Sequence, residues 1–407
     1  MWPFRSNPAV RKVRKRPSID FSLTGLVYCC VMMLLGLAAI NHNINLLFGV
    51  FGLMIGILLV AGVLSRRVLY KLGVHRSLPD HAVVGVPARV EYRFRNDKLF
   101  WPSMAVTAYE IDGAEHFAQQ PRAYLMHAAA RSEVIAPSTV TPIRRGVHTF
   151  NRYQLCTSFP FGFVRRAISA RQSDRLLVYP AIGQVDRAVL DLCRAAEHMG
   201  SAVRPRQGGQ DEFYGVKEHR PGDSLRHIHW KRSARTLEAG GTLVAREMTQ
   251  VAPPRLLLLV DTWLVDPSDA DRAAVERTIA MAASLCAGAL EEDLSVGLLA
   301  WGGDGWRRIE PSRGKRHRGD VLAALARLPQ NVTHDTARLL DQASRSLRNG
   351  TTGVLLTPRQ ISGGVDLASN GAVVVLSADA EQTKSWFRFD PGVDFTKAVP
   401  PSESAVA

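Results

Sequence analysis

The run Arg255-Leu256-Leu257-Leu258-Leu259-Val260-Asp261 decides the fold of the C-terminal half of this chain. Unbroken apolar residues ending in a carboxylate fit a strand buried on both faces of a parallel sheet. A strand with one wet face would alternate instead. A helix is predicted over Ser268–Glu291, with Ala273, Ile279, Ala283, Cys286 and Leu290 at helical spacing. Leu294–Trp301 reads as the next strand, and Gly302-Gly303-Asp304-Gly305 as a hairpin turn into Trp306–Ile309. Helices over His317–Leu328 and Asp335–Arg348 and strands over Gly353–Thr357 and Ala372–Ser377 complete the alternation. The expected fold of residues 251–389 is an α/β doubly wound domain, open at the carboxyl ends of its strands. It lacks both G-x-x-x-x-G-K-[ST] and a strand-linked G-x-G-x-x-G, so the sequence offers no loop to cradle a nucleotide phosphate. Residues 390–407, dominated by Pro, Ser, Glu, Ala and Val toward the end, read as a disordered tail.

Upstream lies a region, 183–250, whose stretch Gly208–Met248 is dense in charge yet holds Phe213, Tyr214, Ile228 and Trp230. Pro221-Gly222 signals a turn. Asp223 is the expected N-cap of a helix running to about Arg235, because a carboxylate can accept from the free N–H groups of a first turn. Glu238-Ala239-Gly240-Gly241 then turns the chain into a strand over Thr242–Arg246. The ordered string Glu212-Phe213, Arg220-Pro221-Gly222-Asp223, Arg226, Ile228, Trp230, Ser233-Ala234-Arg235 and Arg246-Glu247 resembles the signature of the domain of unknown function 58 family.

That resemblance implies a membrane-anchored protein whose last domain is von Willebrand A-like, working beside a MoxR-type AAA+ ATPase. A von Willebrand A-like domain would hold a metal, usually Mg²⁺, at the tip of its first strand on a D-x-S-x-S loop, with hydroxyl and carboxylate oxygens suited to a hard cation. Here that loop reads Asp261-Thr262-Trp263-Leu264-Val265, and Pro358 stands where a later strand would supply Asp. The expectation is therefore no standard metal site and no cofactor. The alternative is a degenerate Mg²⁺ site on Asp261 and Asp266.

Candidate chemistry concentrates in the signature. Glu212, Glu218, Asp223 and Glu247 supply carboxylates, and Arg220, Arg226, Arg235 and Arg246 supply guanidiniums whose planar forks suit carboxylate pairing. One reading is a structural ion-pair clamp; another is a partner- or anion-binding surface. A hydrolase using the Glu, His and Asp groups is the alternative, but His227 and His229 do not aim at one metal from a strand or a helix, and Ser233 lacks a nucleophile elbow. The expected role is thus a scaffold or protein-interaction module rather than an enzyme.

Toward the N-terminus, residues 77–182 read as short strands punctuated by turns, a β-sandwich-like domain. Arg144-Arg145-Gly146, Pro160-Phe161-Gly162 and Tyr179-Pro180 are further landmarks that resemble the family. Before it, Ser22–Ile40 and Ile44–Leu64 carry no charged residue, and each is about the length that crosses a bilayer. Only Asn41-His42-Asn43 joins them, so residues 21–65 read as a two-helix transmembrane hairpin. Residues 1–20 read as a basic cytoplasmic N-terminus, and Arg66, Arg67, Lys71 and Arg76 follow the second span. With both flanks basic and the turn free of Lys and Arg, the expectation is a cytoplasmic-membrane protein with both termini in the cytoplasm. The whole chain carries a net charge of +14, but residues 1–80 hold ten Lys/Arg against only Asp20 and Asp80. The basic excess therefore belongs to the bilayer flank, and no specific nucleic acid is expected. Five scattered cysteines, with no C-x-x-C, argue against a disulfide framework or zinc site.

Overall fold

The computed structural model describes residues 17–42, 44–200, 206–220, 225–238, 240–250, 255–266, 268–347, 351–360 and 373–398. The chain divides into two compact units, Met1–Ala181 with Asp390–Ala407, and Ile182–Phe389.

In the first unit, strand β1 (Pro17–Phe21) leads into helices α1 (Leu23–His42) and α2 (Asn45–Leu69). The Ser22 hydroxyl accepts from the Gly25 N–H at 3.0 Å, capping α1. Both helices are long and apolar enough to span a membrane, consistent with membrane anchoring; only 17% and 6% of their apolar windows are buried. A Cβ added at Gly49, Gly52 or Gly56 of α2 would meet nothing within 4 Å. The close approach is at Gly36, where a Cβ would lie 2.7 Å from the Phe51 ring. The Tyr28 hydroxyl also donates to the Met54 carbonyl across the pair at 3.0 Å.

The strands of this unit are β2 (Leu72–Ser77), β3 (His81–Val83), β4 (Ala88–Asn96), β5 (Ser103–Glu110), β6 (Arg122–Ala128), β7 (Glu133–Val140), β8 (Gly146–Thr157) and β9 (Val164–Tyr179). They form a sheet ordered β1-β9-β8-β5-β6, with β3 parallel to β9, and a second sheet ordered β2-β4-β7. Tyr92 and Phe94 on β4 and Phe150 on β8 are fully buried. Arg76 on β2 stitches the sheets together. Its guanidinium donates to Glu110 on β5 at 2.6 Å, to Asp174 on β9 at 2.8 Å, and to the Phe150 and Gln172 carbonyls at 3.0 and 2.9 Å. The Tyr92 hydroxyl donates to the other Glu110 oxygen at 2.8 Å. A buried ion pair is tolerable only when its spare donors and acceptors are matched in this way. Residues 390–398 depart from the expected loose tail: they form turns, Ala398 is buried, and the Lys397 carbonyl accepts from Arg144 at 3.1 Å.

The second unit opens with β10 (Gln184–Val185) and α3 (Arg187–Gly200). A two-stranded antiparallel ribbon follows, β11 (Arg206–Glu218) with β12 (Val244–Gln250), and helix α4 (Trp230–Glu238) lies between them in sequence. The apolar run becomes β13 (Arg255–Val260), followed by α5 (Asp269–Glu291), β14 (Ser295–Trp301), β15 (Trp306–Ser312), α6 (Lys315–Ala326), α7 (Thr336–Leu347), β16 (Thr352–Thr357) and β17 (Val373–Ser377). Last come α8 (Glu381–Trp386) and β18 (Phe387–Arg388), which pairs with β10.

The five-stranded sheet is ordered β15-β14-β13-β16-β17, parallel except for the β15 edge. Leu257 and Leu259 pack with Leu339, Ala343 and Leu347 of α7, while Leu256 and Leu258 on the other side of β13 are equally buried. Covering both faces is what the continuous apolar run requires. Helix α5 is also long and apolar enough to cross a membrane, but 83% of its apolar window is buried in the fold, so it is a core helix.

Candidate docking site

The ribbon brings the two ends of the signature together. Glu212 pairs with Thr249, Phe213 with Met248, Val216 with Arg246, and Glu218 with Val244. Between the strands, Leu225–His227 forms a single 3-10 turn, Ile228 bridges to Ala245, and α4 begins only at Trp230. The helix therefore starts later than expected. His229 sits at its cap position: Nδ1 accepts from the Arg232 N–H at 3.3 Å. Pro221, Gly222 and Asp223, the predicted turn and cap, lie outside the described residues, as do the side chains of Glu212, Phe213 and Glu247.

Ser233 anchors α4 to the ribbon. It is buried, accepts from the Val244 N–H at 2.9 Å and donates to the Val244 carbonyl at 3.2 Å. A hydroxyl held this way has a structural task and no access to a substrate. Among the described residues, no ion pair joins Glu218 to Arg226, Arg235 or Arg246; all four side chains are exposed. That part of the expected clamp does not form, because the ribbon and α4 direct these groups to solvent. The face carries exposed apolar groups instead. Trp230 is 66% exposed, and Leu225 and Leu237 are exposed as well. A broad, shallow depression of about 480 Å³ beside them is lined by His229, Lys231, Arg232, Arg235 and Thr236.

The second feature lies where the strand order reverses, between β13 and β16. In an open α/β sheet the crevice at that reversal is the usual ligand position. Asp261 follows β13 and is only 3% exposed. One carboxylate oxygen accepts from the N–H of Trp263, in its own turn, at 2.9 Å. The other accepts from Thr336 at the start of α7 at 2.6 Å and from Thr357 at the end of β16 at 3.1 Å. Burial pushes its pKa up, against the pull of these bonds and of Arg359. Arg359 also donates to the Trp263 carbonyl at 2.6 Å and lies over the Trp263 ring at 4.8 Å. Asp266 is exposed, and its N–H turns to Asp271 at 3.3 Å.

Beside Asp261 is a cavity of about 10 Å³, lined by Thr262, Trp301, Trp306, Asn331 and His334 among others. It has room for about one water. Trp301 and His334 meet at 3.9 Å between ring centroids and roof this end of the sheet. Among the described residues, no group of three His, Cys, Asp or Glu side chains converges. The Asp261 oxygens already accept from protein donors, so this arrangement works as a turn lock. Sequence reading found Asp261 but missed Thr336, Thr357, Asn331 and Arg359, which come from 70 to 98 residues away and carry no local motif.

An apolar helical hairpin, a strand-rich region of several sheets and a C-terminal α/β sheet define the class of protein. Residues 215–363 match the family model described as Protein of unknown function DUF58, so this stretch is similar to that family. The match spans α4, the second ribbon strand and the sheet as far as β16. Glu212, Phe213 and the landmarks before residue 182 fall outside it. A search of curated proteins gives no match.

Proposed function

We propose that this chain is a membrane-anchored scaffold that docks a protein partner on the signature face of its second unit. One observation carries the reading: the most distinctive segment of the sequence exposes Trp230, with Leu225 and Leu237, next to Lys231, Arg232 and Arg235. Trp and Arg are the residues that dominate binding energy when an interface closes over them, and exposed apolar groups ringed by charge mark interaction surfaces. The strand-tip crevice is the weaker candidate, since Trp301, Trp306 and His334 leave a void of water size there.

The strand order β15-β14-β13-β16-β17 with its antiparallel edge supports reading the sheet as von Willebrand A-like. The family resemblance suggests a MoxR-type AAA+ ATPase as the partner, with the basic flanks of the spans holding both proteins at the cytoplasmic face. The partner's contact surface is then acidic around an apolar pocket. The test is affinity purification of the full chain in mild detergent, with and without ATP, alongside Trp230→Ala and Arg235→Glu. The expected result is recovery of the ATPase with the wild type and its loss with both variants, at unchanged thermal midpoints. Recovery of no ATPase in either nucleotide state, or equal recovery by the variants, sinks the proposal.

A further inference from the structure

The first unit exposes two aromatic loops at the end of the hairpin where both helices meet the sheets. The loop between β4 and β5 carries Leu99, Phe100 and Trp101, all exposed, with Phe100 at 86%. It is fixed to the last turn of α2. Lys98 donates to the Arg67 and Val68 carbonyls at 3.0 and 2.8 Å, Ser103 donates to the Val68 carbonyl at 2.9 Å, and Asn96 holds the Trp101 carbonyl at 3.0 Å. The loop between β8 and β9 carries exposed Phe161 and is fixed to the first turn of α1. Ser22 donates to the Gly162 carbonyl, its N–H donates to the Phe163 carbonyl at 3.1 Å, and the Phe163 ring stacks on Tyr28 at 4.2 Å. The carbonyl of Phe163 also occupies the space that a Cβ on Gly25 would need.

The start of α1 and the end of α2 lie at the same end of a helical hairpin. The two loops therefore stand at the level where the helices leave the bilayer. Phe21 and Tyr70, exposed at those same two helix ends, continue the apolar band, and Arg66 and Arg67 lie exposed beside it. Among the described residues of this unit nothing buries these rings, yet backbone and side-chain hydrogen bonds hold both loops in place.

We infer that Leu99–Trp101 and Phe161 form an interfacial collar that inserts into the headgroup–acyl boundary of the bilayer around the hairpin. The occupant is lipid. Trp101 and Tyr70, rings with a polar edge, favour that boundary, the apolar Leu99, Phe100 and Phe161 side chains favour its acyl side, and neighbouring arginines favour anionic headgroups. The collar would fix the depth and tilt of the β-rich unit on the membrane surface, where two spans alone would leave it free to swing. It rests on the reading of α1 and α2 as membrane spans.

The test uses the full chain reconstituted into vesicles of phosphatidylcholine and phosphatidylglycerol, with plain or brominated acyl chains. Subtracting the emission of Trp101→Phe from that of the wild type isolates Trp101 among the seven tryptophans. The substitution keeps an aromatic ring and leaves the backbone contact to Asn96 intact. The expected result is a Trp101 signal present in plain vesicles and lost in brominated ones, with the same substitution at Trp301 removing no quenched component. A Trp101 signal unchanged by bromination, in protein that floats with the vesicles, overturns the collar and leaves the spans standing. A signal unquenched by lipid but shifting with protein density assigns the loop to a second copy and also overturns it. Protein that fails to float overturns the spans and the collar together.

Discussion

At the scale of single residues, the β-rich unit carries a built-in sensitivity to acid. His148 is buried, and its ring stacks on His116 at 4.1 Å between centroids. Its Nε2–H donates to the Arg144 carbonyl at 2.8 Å. Burial pushes its pKa down to about 4, against the pull of that hydrogen bond, and the charges of His116 and Arg144 lower it further. The ring is therefore neutral in the fold and protonates near its ordinary value of about 6.5 only when unfolded. Its contribution to stability is fully present above about pH 6.5 and is lost as pH falls from there towards about 4, a loss of up to ~3 kcal/mol. Replacing His148 with Gln, which keeps a donor for Arg144, should flatten the fall in thermal midpoint between pH 7 and 4.5. Wild type and variant falling in parallel would refute this assignment. The histidine was invisible to sequence reading because its meaning lies in burial, which no local pattern reports at a lone His. Asp261 was visible, since a carboxylate ending an apolar run marks a strand tip. Its partners Thr336 and Thr357 were not, because folding alone brings together side chains 75 and 96 residues away.

At the scale of elements, the joint between α2 and the sheets rests on Lys98. Its ammonium lies against the Arg67 and Val68 carbonyls and the Ser103 hydroxyl, the last at 2.6 Å. A cation there satisfies carbonyls that a helix end leaves without partners and complements the negative end of its dipole. Burial pushes its pKa down to about 8, so it still carries charge at neutral pH. Lys98→Met removes the ammonium from the Arg67 carbonyl and leaves Ser103 as the side-chain donor to the Val68 carbonyl. The expected cost is about 1–3 kcal/mol, read as a lower thermal midpoint in detergent and faster hydrogen exchange over residues 66–72. Unchanged exchange there would show that Ser103 alone holds the joint.

Elements with a strong period were legible: the apolar spans, β13, α5 and β16 lie close to where their patterns placed them. Others hid for physical reasons. Strand β7 contains Pro137, which reads as a break but is tolerated because β7 is a sheet edge. Strand β6, also an edge, exposes Tyr124 and Met126, so apolar residues on both sides erased its alternation. Strands β8 and β9 run far longer than the short segments read from sequence, because a bulge at Phe150/Arg152 lets them bend and keep pairing. The α4 cap fell on His229 rather than at a conventional capping residue, so the helix start was misplaced.

At the scale of the whole chain, connectivity alone settles one relation that charge counting left as an inference. Strand β1 precedes α1 and pairs with β9, from Phe21 opposite Val164 to Pro17 opposite Ile168. Strand β2 follows α2 and pairs with β4, from Leu72 opposite Asn96 to Ser77 opposite Glu91. Both flanks of the hairpin are therefore built into one folded unit. If α1 and α2 cross a bilayer, they must leave and re-enter on the same side, because a sheet cannot be completed through hydrocarbon where unpaired backbone groups find no partner. We propose that this side is the cytoplasmic one, because both flanks are rich in Lys and Arg and positive charge favours that side. A reporter enzyme that matures only outside the cytoplasm should be active when fused after His42 and silent when fused after Ala407. Moving the balance of charge, by exchanging Arg66 and Arg67 for Glu and placing two lysines at Asn41 and His42, should weaken insertion rather than yield a chain with one flank on each side. The pairing of β1 with β9 forbids that split. A stable, folded product with active reporters at only one of the two flanks would break the argument from connectivity, whatever the charges did.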